Sequence, residues 1–128
     1  MALAGHCIIN DEVILGGNSA VLQFTNIGVG SMIAGMTGVD KDVLPYSLSK
    51  GNRCYYENLN LIGLKRKGFS NKEIEEYKRI VLSIFNTDNL KHYLHDVKGN
   101  SVLIKSLKDF IENKNPNRDI CRPNKWLP

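Results

Sequence analysis

Few residues in this sequence are both reactive in type and spaced for chemistry. There are three histidines: His6, and His92 and His95. His92 and His95 stand three apart in "HYLH", a helical spacing, but no third ligand lies close in sequence, so they read as surface histidines rather than a metal pair. Cys7, Cys54 and Cys121 are widely spread and match no metal-ligand spacing. No metal or cofactor site is expected, no disulfide is expected, and a reducing cytoplasm is the simplest setting for the three thiols. The densest basic run is Lys65, Arg66 and Lys67. It reads either as a solvated face or as a site for phosphate or an acidic partner. Gly5 and His6 form an isolated pair near the N-terminus, "LAGHC".

These residues must be positioned by a repeat. Leu3, Ile9, Leu15, Val21, Ile27, Ile33 and Val39 are leucine or β-branched and stand six apart. The position after each anchor is mostly small: Ala4, Asn10, Gly16, Leu22, Gly28, Ala34, Asp40. Four places after each anchor come Cys7, Val13, Ser19, Thr25, Ser31, Thr37 and Val43. A unit of six holds one short strand and one tight turn. Its anchor points inward and stacks on the next coil, while glycine is expected to supply the unusual turn dihedrals. Hexapeptide repeats of this kind specify a parallel β-helix. Leu22 is large where the unit wants a small residue, so it should project outward.

The repeat stops after Val43, which divides the chain into β-helix coils over 1–44, a connecting loop over 45–69 and a helical part over 70–128. Pro45 and Gly51 mark the loop. Ser70 followed by Glu73 is a capping box, and Ile74, Tyr77, Val81 and Ile84, with Phe85, keep helical spacing after it. A second helix fits 88–97, with Leu90, Tyr93, Leu94 and Val97 on one face. Gly99 and Asn100 punctuate. A third fits 101–114, with Val102, Leu103, Leu107, Phe110 and Ile111 inward. Pro116 stops it, and an irregular tail follows. A length of 128 residues with 42% apolar composition suits an ordered domain plus an appendage. The net charge of +4 is modest and the basic residues are mixed with acidic ones, without aromatic interleaving. Nucleic acid is therefore not expected as a partner, and no apolar run is long enough for a membrane span.

The stretches "GHCIINDEVILGGNSAVLQF", "IGVGSMIAGMTGVDKDVLPYSLSKGN" and "NLNLIGLKRKGFS" resemble the acyl-carrier-protein-dependent UDP-N-acetylglucosamine O-acyltransferases of lipid A biosynthesis. The likeness runs from about Leu3 to Phe85 and more loosely through the helices. It implies a left-handed β-helix of a little over two triangular coils, a C-terminal helical domain, and a homotrimer with its active site between subunits. It implies transfer of a 3-hydroxyacyl chain from acyl carrier protein to the glucosamine 3-hydroxyl. By resemblance, Gly5 offers its backbone N–H to the thioester oxygen. His6 and Gln23 contact the sugar nucleotide, and Gly35 stands where acyl length is measured. Asn60, Arg66 and Lys67 grip the nucleotide end. The basic run would also suit docking of the acidic carrier.

The sequence also departs from that pattern. The family's general base is a histidine followed by aspartate, one coil before the position of His6, and the sequence begins in mid-repeat after that point. Leu22 replaces a cleft histidine of many relatives, and Ile62 replaces a polar residue. The chain is therefore expected to be inactive alone, with an N-terminal half supplying the base. The alternatives are a sugar-nucleotide-binding or trimer-associating module without catalysis, and a remnant without function.

Overall fold

The computed structural model describes residues 2–99 and 101–124. Seven two-residue strands come first: β1 (Ala2–Leu3), β2 (Ile8–Ile9), β3 (Ile14–Leu15), β4 (Ala20–Val21), β5 (Asn26–Ile27), β6 (Met32–Ile33) and β7 (Gly38–Val39). All pair in parallel and in one register: Leu3 with Val21, Ile9 with Ile27, Leu15 with Ile33, Val21 with Val39. Each partner lies three units further on, so three units close one triangular coil. The anchors Val21, Ile27, Ile33 and Val39 are fully buried, as are Ser19, Thr25, Ser31 and Thr37 beside them. Ile9 and Leu15 are half-buried, and Leu3 is 49% exposed. Leu3 keeps the register of the column by stacking on Val21.

The turns correct an expectation. Left-handed dihedrals recur every six residues, at His6, Glu12, Asn18, Phe24, Gly30 and Met36, with φ between 57° and 69°. Glycine fills only one of these six places. Glycines at 5, 17 and 35 take the preceding turn position instead.

The segment expected as a connecting loop is structured. β8 (Ser47–Lys50) adds in parallel to β6, and β9 (Tyr55–Leu59) adds antiparallel to β8. A six-residue helix follows, α1 (Leu61–Arg66). The sequence concealed β8 because its buried residues are Ser47 and Ser49 rather than apolar anchors. The Ser47 hydroxyl donates to the Leu44 carbonyl at 2.6 Å. The register also shortens here by two residues, pairing Ile33 with Ser49, which ends the period of six.

The three later helices stand where their patterns put them: α2 (Asn71–Ile84), α3 (Leu90–Asp96) and α4 (Val102–Asn113). The Ser70–Glu73 capping box opens α2. On α4, Leu103, Leu107, Phe110 and Ile111 are buried, but so is Ile104, whereas Val102 is 58% exposed. Val102 is the first residue of its helix and faces solvent. One core fills the coils. A second lies between the last coil and the helices, from Leu44, Tyr46 and Leu64 to Tyr77, Val81, Leu107 and Ile120. The buried Tyr77 hydroxyl ties them by donating to the Pro45 carbonyl at 2.6 Å, and burial pushes that phenol well above its usual range.

The tail is irregular but anchored. Ile120 bridges to Asp42, the Cys121 N–H donates to the Asp42 carbonyl, and Tyr56 N–H donates to the Arg122 carbonyl. Cys54 and Cys121 form a disulfide across 67 residues of sequence. This overturns the expectation of three free thiols: the tail's return to the last coil brings together cysteines whose spacing shows no relation. Asn100 and the last four residues of the expected tail lie outside the described residues.

Candidate functional site

The triangular coil sorts the expected site residues onto its three edges. The first edge stacks the turn Gly5–His6 on the turn Gln23–Phe24, three units apart. Gly5, His6 and Gln23 are all exposed. The Gly5 N–H carries no hydrogen bond to any described residue, so it remains available as a donor. The His6 ring stacks on Phe24, with centroids 5.6 Å apart and planes 17° from parallel. Leu22, 54% exposed, projects outward beside them as its size required.

The second edge stacks Asp11–Glu12 under Val29–Gly30, and these under Tyr46. Gly30 N–H donates to the Asp11 carbonyl at 3.0 Å, and Tyr46 N–H to the Val29 carbonyl at 2.8 Å. Against this edge leans α1. Asn60 caps it: its carboxamide oxygen accepts from the Gly63 N–H at 3.2 Å. Its amide donates to the Gly30 carbonyl at 3.0 Å. Asn60 thus pins the helix to the coil while keeping one N–H and one lone pair uncommitted. Gly30 is favoured there by its backbone and required by its surroundings. Its φ is +69°, and a Cβ would sit 2.4 Å from the Tyr46 ring.

Between α1 and this edge lies a cleft of about 280 Å³, lined by Glu12, Gly30, Tyr46, Asn60, Arg66 and Lys67 among others. It unites Asn60, Arg66 and Lys67, the three residues expected at the nucleotide end. Arg66 is exposed in the last turn of α1 and makes no ion pair with a described residue. Lys67 Nζ reaches across to Glu12 Oε1 at 2.6 Å. That hydrogen bond is the largest of the effects that hold the ammonium above the usual lysine value. Glu12 and Tyr46 carry no mark in the sequence that ties them to this motif. Each is a turn residue of the solenoid, and only the stacking of coils brings them under the helix.

The third edge stacks Gly17 and Gly35, with Met36 N–H donating to the Gly17 carbonyl at 2.8 Å. Gly35 is exposed. A Cβ there would meet the Gly17 backbone, its carbonyl oxygen at 3.2 Å and its nitrogen at 3.9 Å. The cleft beneath α1 is lined by residues of the second edge and of α1, with none from the first or third edge.

A larger cleft, about 400 Å³, lies between the helices and the tail and is lined by Lys91, Lys114, Arg118 and Arg122. It contains none of the expected residues, and its cations are mostly committed. Asp42, 1% exposed, accepts from Arg118 Nε at 3.1 Å and from the Asn26 N–H at 2.9 Å, with Lys114 Nζ at 3.8 Å. Arg122 pairs with Asp119. Burial lowers the Lys114 ammonium from its usual value, against the opposing pull of Asp42. His92 and His95 are exposed on α3, where His92 approaches Asp96 at 3.9 Å. Among the described residues no three histidine, cysteine or carboxylate side chains gather as a metal site. Among the described residues no helix is long and apolar enough to cross a membrane.

Comparison with known proteins bears on the whole arrangement. A family model described as UDP-N-acetylglucosamine O-acyltransferase, domain 2, matches residues 42–121. An acyl-[acyl-carrier-protein]–UDP-N-acetylglucosamine O-acyltransferase of Paracoccus denitrificans (strain Pd 1222) is 38% identical over 113 residues, covering 86% of this chain and 42% of the relative. One from Campylobacter concisus (strain 13826) is 38% identical over 112 residues, covering 85% and 42%. Among solved structures, the UDP-N-acetylglucosamine acyltransferase of Campylobacter jejuni superposes with a TM-score of 0.83 at 31% identity, over 96% of this chain and 49% of that one. The UDP-N-acetylglucosamine O-acyltransferase of Moraxella catarrhalis gives 0.83 at 32% identity, over 94% and 48%. The coils share the left-handed sense of these structures. The chain spans about two fifths of the length of the curated relatives it matches.

Proposed function

The chain belongs to the UDP-N-acetylglucosamine O-acyltransferase family, and from that premise we propose that it forms the C-terminal part of a site that acylates UDP-N-acetylglucosamine in lipid A biosynthesis. The observation that carries this reading is the cleft under α1, where Asn60, Arg66 and Lys67 converge. A guanidinium and an ammonium beside a capping asparagine suit a diphosphate, because arginine offers a fork of donors and lysine a compact charge.

In this reading the glucosamine 3-hydroxyl attacks the thioester carbonyl of a 3-hydroxyacyl chain carried by acyl carrier protein. The new C–O bond forms, the C–S bond breaks, and the carrier's thiol leaves with the proton taken from the sugar. Charge gathers on the carbonyl oxygen, and the uncommitted N–H of Gly5 is suited to receive it. His6 and Gln23 share that edge and would hold the sugar. Gly35 leaves its edge open for the acyl chain, and a side chain there would obstruct it. Lys65, Arg66 and Lys67 present positive charge to an acidic carrier.

The three groups of residues occupy three edges, so one chain does not enclose the substrates. A homotrimer in which one subunit's edge faces another's, or association with a polypeptide carrying further coils, would complete the site. The general base is proposed to come from outside these 128 residues. His6 is the one histidine on the coils, and its ring packs on Phe24 rather than on a carboxylate that would orient it as a base. His95 and Asp96 are adjacent in sequence, but they stand exposed on α3. A cytoplasmic setting follows from the proposed substrates. The same isolation of His6 favours a second reading, a module that binds the sugar nucleotide without catalysis.

An acyl-transfer assay of the purified chain with carrier thioester is expected to show no turnover. Calorimetry with UDP-N-acetylglucosamine is expected to show binding at about millimolar concentration. Turnover would overturn the external base, and absence of heat would overturn the nucleotide site.

A further inference from the structure

We infer that Glu12 limits how strongly the cleft beneath α1 takes an anion, by neutralising the lysine that would otherwise face it. The inference rests on the proposed reading of that cleft as the seat of a nucleotide diphosphate. Lys67 follows the last turn of α1, and it lines the cleft together with Arg66. Its ammonium crosses to the coil edge and meets Glu12 Oε1 at 2.6 Å, joining residues 55 apart in sequence. Asp11, next to Glu12, adds to the negative field at the ammonium. With this pair closed, Arg66 is the cation lining the cleft that no described carboxylate neutralises.

A diphosphate entering here meets Arg66, a neutralised lysine, and the carboxylate of Glu12 on the opposite wall. Its attraction to Arg66 and Lys67 is reduced by repulsion from Glu12. The Glu12 and Lys67 side chains are 50% and 39% exposed, so the pair contributes little to folding and its removal leaves the scaffold intact. Its effect on a multiply charged ligand at close range is larger, because each ligand charge feels the missing carboxylate.

The test compares the chain with Glu12→Gln, Glu12→Asn and Arg66→Ala. Glu12→Gln keeps the shape and removes the charge. Glu12→Asn places at φ 61° a residue that tolerates left-handed backbone. Each protein is titrated with UDP-N-acetylglucosamine, with inorganic pyrophosphate and with uncharged N-acetylglucosamine. Heat is followed together with the NMR signals of the residue 66 side chain and of Lys67 Nζ. Both Glu12 variants should bind the two phosphates about three- to tenfold more tightly, with a steeper dependence on salt. Binding of N-acetylglucosamine should not change, and Arg66→Ala should weaken the phosphates.

If the phosphates shift Arg66 and Lys67 in the parent chain but bind the Glu12 variants equally or less well, the inference is overturned and the nucleotide cleft stands. In that case Glu12 positions Lys67 instead of restraining it. If the phosphates shift neither signal in any of these proteins, the cleft reading and the inference fall together.

Discussion

Asp42 shows how much of this molecule hangs on single side chains. Its carboxylate is buried where the tail meets the coils beside β5, and its partners come from three places: Arg118, Lys114 and the Asn26 backbone. Arg118 goes on to the Thr25 hydroxyl and the Asp40 carbonyl, each at 3.0 Å. A buried pair of this kind gains little over an apolar replacement, but breaking it leaves a charge without compensation. Asp42→Asn would leave Lys114, already short of solvent, beside Arg118, with the more distant Asp119 as the carboxylate still acting on it. We expect a loss of about 3–5 kcal/mol, read as a lower urea midpoint. Replacing Asp42 and Lys114 together, by Asn and Met, should recover part of that loss, whereas independent contributions would add. By contrast, Gly5, Gln23 and Arg66 are exposed and bear little on folding. Substitutions there should leave the midpoint unchanged, which makes them clean probes of binding.

At the scale of elements, the period of six was readable because a solenoid repeats its own packing. Each anchor meets an anchor one coil away, and selection for a branched apolar residue recurs with the geometry. The same logic exposed α2, whose capping box and apolar stripe are local. It gives no signal where a segment is short or buries polar side chains. β8 buries serines, β9 is paired by the strand before it, and α1 has only six residues. The cleft was half legible. Asn60, Arg66 and Lys67 lie within one short motif, but Glu12 and Tyr46 join them only through coil stacking. The motif's end has its own local physics. Gly68, at φ 91°, closes α1: its N–H donates to the Lys65 carbonyl, and Phe69 N–H donates to that of Leu64. These two bonds make a Schellman motif. A Cβ at Gly68 would touch nothing within 4 Å, so Gly68→Ala should cost only the left-handed backbone penalty, about 1–2 kcal/mol. Thermal denaturation measures it. A much larger loss would mean that Gly68 also makes a close contact. Because Arg66 and Lys67 sit in the turn it closes, the same variant should weaken nucleotide binding.

At the scale of the whole fold, the coils are closed at their C-terminal end by the helices and the tail that follow them. The last coil would otherwise expose unpaired edges and anchors, a liability of open solenoids. Here α2 and α4 cover it, and residues 114–122 return across it so that Ile120 and Cys121 are buried against the coil. The disulfide between Cys54 and Cys121 fixes this closure covalently. A cross-link closing a loop of 67 residues restricts the unfolded chain more than the folded one, for a typical stabilisation of about 2–4 kcal/mol. The compartment decides whether that term operates, because a reducing cytoplasm would hold the pair as thiols. Oxidised chain should therefore show a higher urea midpoint than chain treated with a thiol reductant. Cys121→Ser should behave like the reduced chain whether or not reductant is present. The hydrogen bonds of Asp42, Tyr56 and the tail backbone do not depend on the sulfurs, so the reduced chain should keep its tail docked. Hydrogen exchange at the Cys121 and Tyr56 amides measures this. Protection at both positions after reduction would show that closure is built into the backbone ladder and the Asp42 ion pairs. Its loss at both would make the cross-link the element that holds the end of the solenoid shut.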